Sequence, residues 1–312
     1  MSAAPRPPVA GGAPAHQRVL ALAVFVAAAA LVLLGSTVRV TDSGMGCSSW
    51  PLCNGSIGPI DHFHALLEQA HRYLAAAVTL GIGALWFASR RSAAVGVRRS
   101  VAAACAIVAV QVLLGAVTVL TRNAPATVAA HLVVGLVLLA TTGLVAAASF
   151  GLLPERRGRV GALEWAAALA TLLLLISGTL VVDGGAARSC PSWPWCAPHP
   201  GAPGHVVVLQ LVHRAAAATA GALLVSLALR RLRRCPWRQW GRSWEGALLA
   251  LLASQIGVGA LDTLSRAPAA LQDIHIGLAG AIWCLTVVLV VGGAGHGVGE
   301  RGVGERALRA PP

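Results

Sequence analysis

Eight apolar stretches, each long enough to cross the roughly 30 Å hydrocarbon core of a bilayer, dominate this chain. They lie near 18–38, 65–88, 99–120, 127–149, 161–182, 205–228, 244–264 and 270–292. In lipid a backbone must satisfy its own polar groups, and stretches of this length do so as helices. The expected fold class is therefore an all-α integral membrane protein with eight transmembrane helices. Composition agrees: only 11% of the residues are charged, against roughly 25% in soluble domains. The formal charge of +13 is carried by 24 basic residues, all of them arginine, against 11 acidic ones. These arginines sit between apolar stretches rather than on one soluble face, which points to the lipid bilayer and away from nucleic acid as the partner.

Arginine placement orients the spans. Eighteen arginines fall in one set of connections and at the termini: Arg6 and Arg18, Arg90 to Arg99, Arg156 to Arg159, Arg230 to Arg242, and Arg301 to Arg309. Six fall on the other side: Arg39, Arg72, Arg122, Arg188, Arg214 and Arg266. The arginine-rich side is expected to be cytoplasmic, with both termini inside and the long loops 39–64 and 183–204 outside. The chain then reads as a disordered cytoplasmic N-terminus (1–17), an N-terminal four-helix half (18–150), a cytoplasmic linker (151–160), a C-terminal four-helix half (161–292) and a cytoplasmic tail (293–312). The first apolar stretch exceeds the ~7–15 residues of a signal-peptide core and is read as a retained helix.

The two halves repeat. Cys47-x5-Cys53 recurs as Cys190-x5-Cys196, Glu68-x-x-His71-Arg72 as Gln210-x-x-His213-Arg214, and His131 as His275, at offsets of 143, 142 and 144. Gln111 to Gly115 and Gln255 to Gly259 open the runs to His131 and His275, and Trp50-Pro51-Leu52-Cys53 parallels Trp193-Pro194-Trp195-Cys196. Several matches at one shift mean two copies of a unit. Each copy has an even number of spans, so the copies share an orientation and are expected to be related by a pseudo-two-fold axis along the membrane normal.

His71, His131, His213 and His275 then lie in spans two, four, six and eight, each ~5–12 Å below the outer boundary at 1.5 Å per residue. Ionisable groups at this depth are rare and face the bundle interior. Two imidazoles per half suit the two axial positions of haem iron. Copper or zinc also accepts imidazole but would ordinarily require further ligands, and each half offers only this pair within the bilayer. The loop residues His62, His64, His199 and His205 are read as solvated. Arg72 and Arg214 have two open roles, pairing with haem propionates or snorkelling to lipid headgroups.

One position breaks the repeat. Glu68, one turn before His71, has Gln210 as its counterpart. An intramembrane carboxyl is a functional candidate, to move protons or to stabilise positive charge near a reacting carbon. A structural hydrogen bond to a backbone group or an arginine is the plain alternative. The asymmetry suggests chemistry in the first half and electron transfer through a haem in the second. Cys47/Cys53 and Cys190/Cys196 lie in the outward loops, where disulfides persist; thiol pairs that pass reducing equivalents are the other option. Cys105 and Cys284 read as apolar filler, and Cys235 as a reduced cytoplasmic thiol.

The run Thr37-Val-Arg-Val-Thr-Asp-Ser-Gly-Met-Gly-Cys-Ser-Ser-Trp-Pro-Leu-Cys53, with Glu68-Gln-Ala-His-Arg72, Gln111-Val-Leu-Leu-Gly-Ala-Val-Thr-Val119 and the repeated histidines, resembles the bacterial haem A synthase family over about 18–292. The resemblance implies oxidation of the C8 methyl of haem O to a formyl group by successive hydroxylation, giving haem A for terminal cytochrome oxidases. It implies substrate haem O and product haem A on His71 and His131, Glu68 as the essential acid, haem b on His213 and His275, and a disulfide between Cys47 and Cys53. Haem O synthase and a membrane electron donor are the implied partners, and a homo-oligomer stays open. Two other readings account for the histidines: a di-haem electron-transfer cytochrome, and a haem transporter or chaperone that leaves the porphyrin unchanged.

Overall fold

A computed structural model describes residues 13–58, 62–90, 95–153, 160–233 and 243–293. Eight helices occupy most of them: α1 (Ala15–Val40), α2 (Phe63–Ser89), α3 (Val95–Leu120), α4 (Pro125–Ser149), α5 (Ala162–Asp183), α6 (Gly204–Leu232), α7 (Trp244–Leu264) and α8 (Ala269–Gly293). Among the described residues the only pairing outside helices is an isolated bridge between Cys53 and Ser56. The helices run from 21 to 29 residues, about 32 to 44 Å at 1.5 Å per residue. All eight are long and apolar enough to cross a membrane, as the hydropathy pattern predicts.

Their boundaries follow local chemistry. Pro125 opens α4 at its first turn, where a missing N–H leaves no intrahelical bond unmade. Ser243 caps α7, its side chain accepting from the Gly246 N–H, the usual role of serine at that position. Helix α1 begins at Ala15, three residues before the expected start, because Pro14 precedes the first turn and Gln17 is already buried. The rest of the expected disordered N-terminus, 1–12, lies outside the described residues, as do 154–159 of the linker, the tail from 294 onward and Cys235.

Large apolar side chains cover the outside of the bundle: Val19, Leu80, Phe87 and Leu120 are each more than half exposed. Water would oppose so much contiguous apolar surface, whereas lipid accommodates it. Several hydroxyls inside the spans bond backward to their own helix, as Thr79 does to Ala75 O, Thr142 to Leu139 O and Thr171 to Ala167 O, which keeps their polar hydrogens from hydrocarbon.

Helix adjacency is the same in both halves. In the first, α1 packs on α2, α2 on α3, α3 on α4, and α4 returns to α1; in the second, α5, α6, α7 and α8 close the same ring. The halves meet where α8 packs on α1 and α4, and where α4 packs on α5. One core cluster draws on α1 to α4 and extends to Leu175, Trp283 and Cys284 of the second half; another lies among α5 to α8. At the seam the indole N–H of Trp283 donates to Leu136 O at 3.0 Å, satisfying two polar groups that hydrocarbon would leave unpaired. Cys284 is buried and Cys105 partly so, and neither forms a disulfide.

Polar links also join the halves near the helix ends that carry the two long loops. Thr37 of α1 donates to Asp273 Oδ2 of α8 at 2.9 Å. Arg39 of α1 grips Asp183 of α5 through Nε and Nη2 (2.8 and 2.6 Å) and donates to Thr179 O at 2.7 Å. At the opposite ends, Arg231 of α6 stands between Glu164 of α5 and Glu245 of α7.

Candidate functional site

The four histidines sit six to nine residues into α2, α4, α6 and α8: His71 follows Phe63, His131 Pro125, His213 Gly204 and His275 Ala269. At 1.5 Å per residue this is about 9–14 Å from each helix start. All four are half-buried. His71 lies within electrostatic reach of His131, and His213 of His275.

Each imidazole rests against a glycine of the preceding helix. A methyl group at Gly35 would lie 2.9 Å from His71 Cε1, at Gly115 3.3 Å from His131 Cε1, at Gly178 3.3 Å from His213 Cε1, and at Gly259 3.0 Å from His275 Cε1. Each of these separations is tighter than an ordinary carbon–carbon contact of about 3.5–4.0 Å. Only a residue without Cβ lets the ring come this close to the helix axis. Gly115 and Gly259 stand out in the sequence as marks of the repeat, while Gly35 and Gly178 carry no sequence signal beyond their 143-residue spacing.

In every case the ring edge bearing Cε1 and Nδ1 faces the glycine. Nδ1 of His71, His131 and His275 is buried there without a hydrogen-bond partner. His213 Nδ1 differs, lying 2.9 Å from Ser177 Oγ. At the other nitrogen, His131 Nε2 has the Gln111 amide at 3.3 Å and His275 Nε2 has the Gln255 amide at 3.1 Å; Gln111 also donates to His131 O. Among the described residues no group bonds Nε2 of His71 or His213, and neither atom is among the buried unpartnered ones. A neutral imidazole keeps one lone-pair nitrogen, and an accessible, unbonded one at membrane depth suits axial ligation of haem iron. Among the described residues no group of three or more His, Cys, Asp or Glu is placed to hold a metal ion. The donors present are imidazole pairs, the number that a porphyrin-held iron has open.

Outside the pairs, the long loops fold onto α2 and α6. Cys47 and Cys53 form a disulfide, as do Cys190 and Cys196. Cys47 and Cys53 bury against Ala65 of α2. Close approach requires Gly46, where a methyl group would fall 2.5 Å from Ala65 N. The Cys47 N–H thereby reaches buried Glu68, donating to Oε2 at 2.8 Å. The other carboxyl oxygen accepts from Arg72 at 2.5 Å. The carboxyl thus has both of the structural contacts, backbone and arginine, that the plain reading names.

The second half builds the same loop closure with opposite polarity. Gln210 is also buried, but its amide donates to Ala186 O (3.0 Å) and Ala187 O (3.3 Å). Arg72 donates to Ser49 O and Pro51 O, and Arg214 to Pro194 O and Cys190 O. Both arginines therefore hold loop backbone, a role that their sequence position does not reveal. Tyr73 adds a bond from its hydroxyl to Ile57 O. His62, His64, His199 and His205 are exposed; His64 Nδ1 meets Ser43 Oγ at 2.7 Å. A cleft lined by Trp86, Ser89, Arg90, Arg98, Arg99 and Ala102 opens at the far ends of α2 and α3, away from the histidines.

Fold and site define a polytopic membrane protein with paired imidazoles near one end of each four-helix unit. Residues 18–288 match the COX15-CtaA family of cytochrome oxidase assembly proteins, and the chain belongs to that family. It is 30% identical over 288 residues to a heme A synthase of Symbiobacterium thermophilum, covering 85% of this chain and 92% of that one. A heme A synthase of Geobacillus kaustophilus is 31% identical over 293 residues, 85% of this chain and 88% of its own length. A protoheme IX farnesyltransferase of Thermus thermophilus is 29% identical over 294 residues, 88% of this chain but 48% of that longer protein.

Proposed function

We propose that this protein is a haem A synthase, oxidising the C8 methyl of haem O to the formyl group of haem A for terminal cytochrome oxidases. The observation that carries the reading is the repeated imidazole pair, each ring set against a glycine, in a chain of this family. The first half takes haem O, with His71 and His131 holding its iron so that the same methyl stays beside Glu68 through successive hydroxylations. Glu68, fixed by Arg72 and the Cys47 N–H, stabilises positive charge at the reacting carbon or directs proton and water traffic. Arg72 directs three of its N–H groups to the loop and Glu68, leaving two of a guanidinium's five donors for a propionate; Arg214 can serve the second half in the same way.

In the second half His213 and His275 would hold haem b, which would supply electron-transfer chemistry there. The halves are two copies related by an axis along the membrane normal, with both termini on the cytoplasmic side. The relative that bears a farnesyltransferase name is about twice the length aligned. This supports a partner that makes the farnesylated substrate and hands it over within the membrane.

Extraction of haems from cells supplied with haem O tests the reading. Haem A should appear with this protein and vanish with Glu68→Gln, at equal expression. Haem A at the normal level in Glu68→Gln would remove Glu68 from the chemistry. Haem O and haem B alone with the unaltered protein would favour an electron-transfer cytochrome or a haem carrier.

A further inference from the structure

His71 and His213 occupy like settings, each against a glycine of the preceding helix, and differ at Nδ1. Ser177 precedes Gly178 on α5 and places Oγ 2.9 Å from His213 Nδ1. The same hydroxyl donates its proton to Leu174 O at 2.7 Å. With that proton engaged, Oγ meets the imidazole as an acceptor, so Nδ1 carries the ring hydrogen and Nε2 keeps the lone pair. The matching residue before Gly35 is Leu34, which has no polar atom on its side chain, and His71 Nδ1 is buried with no partner.

We infer that Ser177 is a positioning residue that locks His213 as an Nε2 ligand, and that its replacement by Leu34 leaves His71 a looser ligand in the half whose haem must leave after each reaction. This inference rests on the proposed assignment of haem b to His213 and His275. The physical basis is general. An acceptor on the far nitrogen fixes ring orientation and tautomer and makes the ligating nitrogen more basic. Glycine alone sets how close a ring sits, and all four have one; it leaves rotation about the Cβ–Cγ bond open. The Ser177 bond removes that freedom for His213, whereas His71 Nδ1 meets no acceptor that would hold its ring in one orientation. A resident cofactor requires the first arrangement and an exchanging substrate the second.

The test uses full-length protein purified with its haems. In Ser177→Ala, haem b should still bind but transfer to excess apomyoglobin about 10-fold faster or more. Its reduction potential should rise, because a less basic imidazole stabilises ferric iron less. Ser177→Thr, which keeps the hydroxyl, should restore both values. In a His213→Ala background, where only the first half's haem is read, Leu34→Ser should slow haem release. Release rate and potential unchanged in Ser177→Ala, with haem b lost in His213→Ala, would overturn the Ser177 inference alone. Retention of haem b in His213→Ala would overturn the assignment beneath it.

Discussion

Two oxygen atoms on one side chain tie the outer loop of the first half to its candidate chemistry. Glu68 accepts from the Cys47 N–H and from Arg72, and this requires the loop backbone to lie directly on α2 at Gly46. Gly46→Ala puts a methyl group against Ala65 N, so the loop must lift and the Cys47–Glu68 bond must lengthen. Haem A output should fall several-fold in this variant while haem b, held in the other half, stays at its normal level in the absorption spectrum. At the histidines, Gly35→Ala drives a methyl group to 2.9 Å from the His71 ring and should empty the first half of haem. Gly178→Ala, at 3.3 Å, asks the neighbouring ring to give by only a few tenths of an ångström and should cost less haem b. Extracted-haem ratios for the two variants read this difference directly.

Helices join the halves by polar contacts at one level and apolar packing at another. Arg39 and Asp183 bind α1 to α5 with side chains 16% and 9% exposed. Removing one partner of so enclosed a pair leaves an uncompensated charge, a loss of the order of 3 kcal/mol. Arg39→Ala should lower the thermal midpoint in detergent clearly, and Arg39→Ala with Asp183→Asn should recover part of that loss. Equal midpoints for the single and double variants would mean that the pair does not hold the seam. The Trp283 bond to Leu136 joins α8 to α4 further into the core, so the interface should persist in the Arg39 variant.

Over the whole molecule, the arginine asymmetry predicts an orientation that can be measured. Reporter fusions at the C-terminus should behave as cytoplasmic, and those inserted near Trp195 of the second long loop as exterior; the reverse pattern would place both disulfides on the reducing side and undo the proposed site. Reduction of the two loop disulfides should abolish haem A formation before it releases haem b, because Cys47, through its N–H, touches the Glu68 carboxyl, whereas Cys190 meets Arg214 through its carbonyl and Ser189 through its sulfur.

Much of this architecture is legible residue by residue. Apolar length announces eight spans, because hydrocarbon thickness sets a minimum that no other environment imposes. The four histidines and the cysteine pairs stand out because ionisable and paired groups are rare in such a sequence and recur at one offset. The residues that complete the site are not legible in that way. Ser177, Gly35 and Gly178 are ordinary in a helix; their meaning comes from which face of α1 or α5 meets an imidazole on the next helix. Arg72 and Arg214 read as headgroup or propionate ligands, and nothing in their sequence positions reveals that loop carbonyls also converge on them.

The amino-acid order by itself therefore determined the number of spans, the recurrence of their motifs and which imidazoles are candidates, since these depend on length, repetition and the cost of polarity in lipid. Only the tertiary structure decided what each imidazole touches, that Glu68 reads the first loop through Cys47, and that Arg39 and Thr37 reach across to the other half. Those contacts join residues up to 236 positions apart, and they depend on how each helix is rotated about its own axis, a quantity that packing between helices sets and hydropathy does not encode.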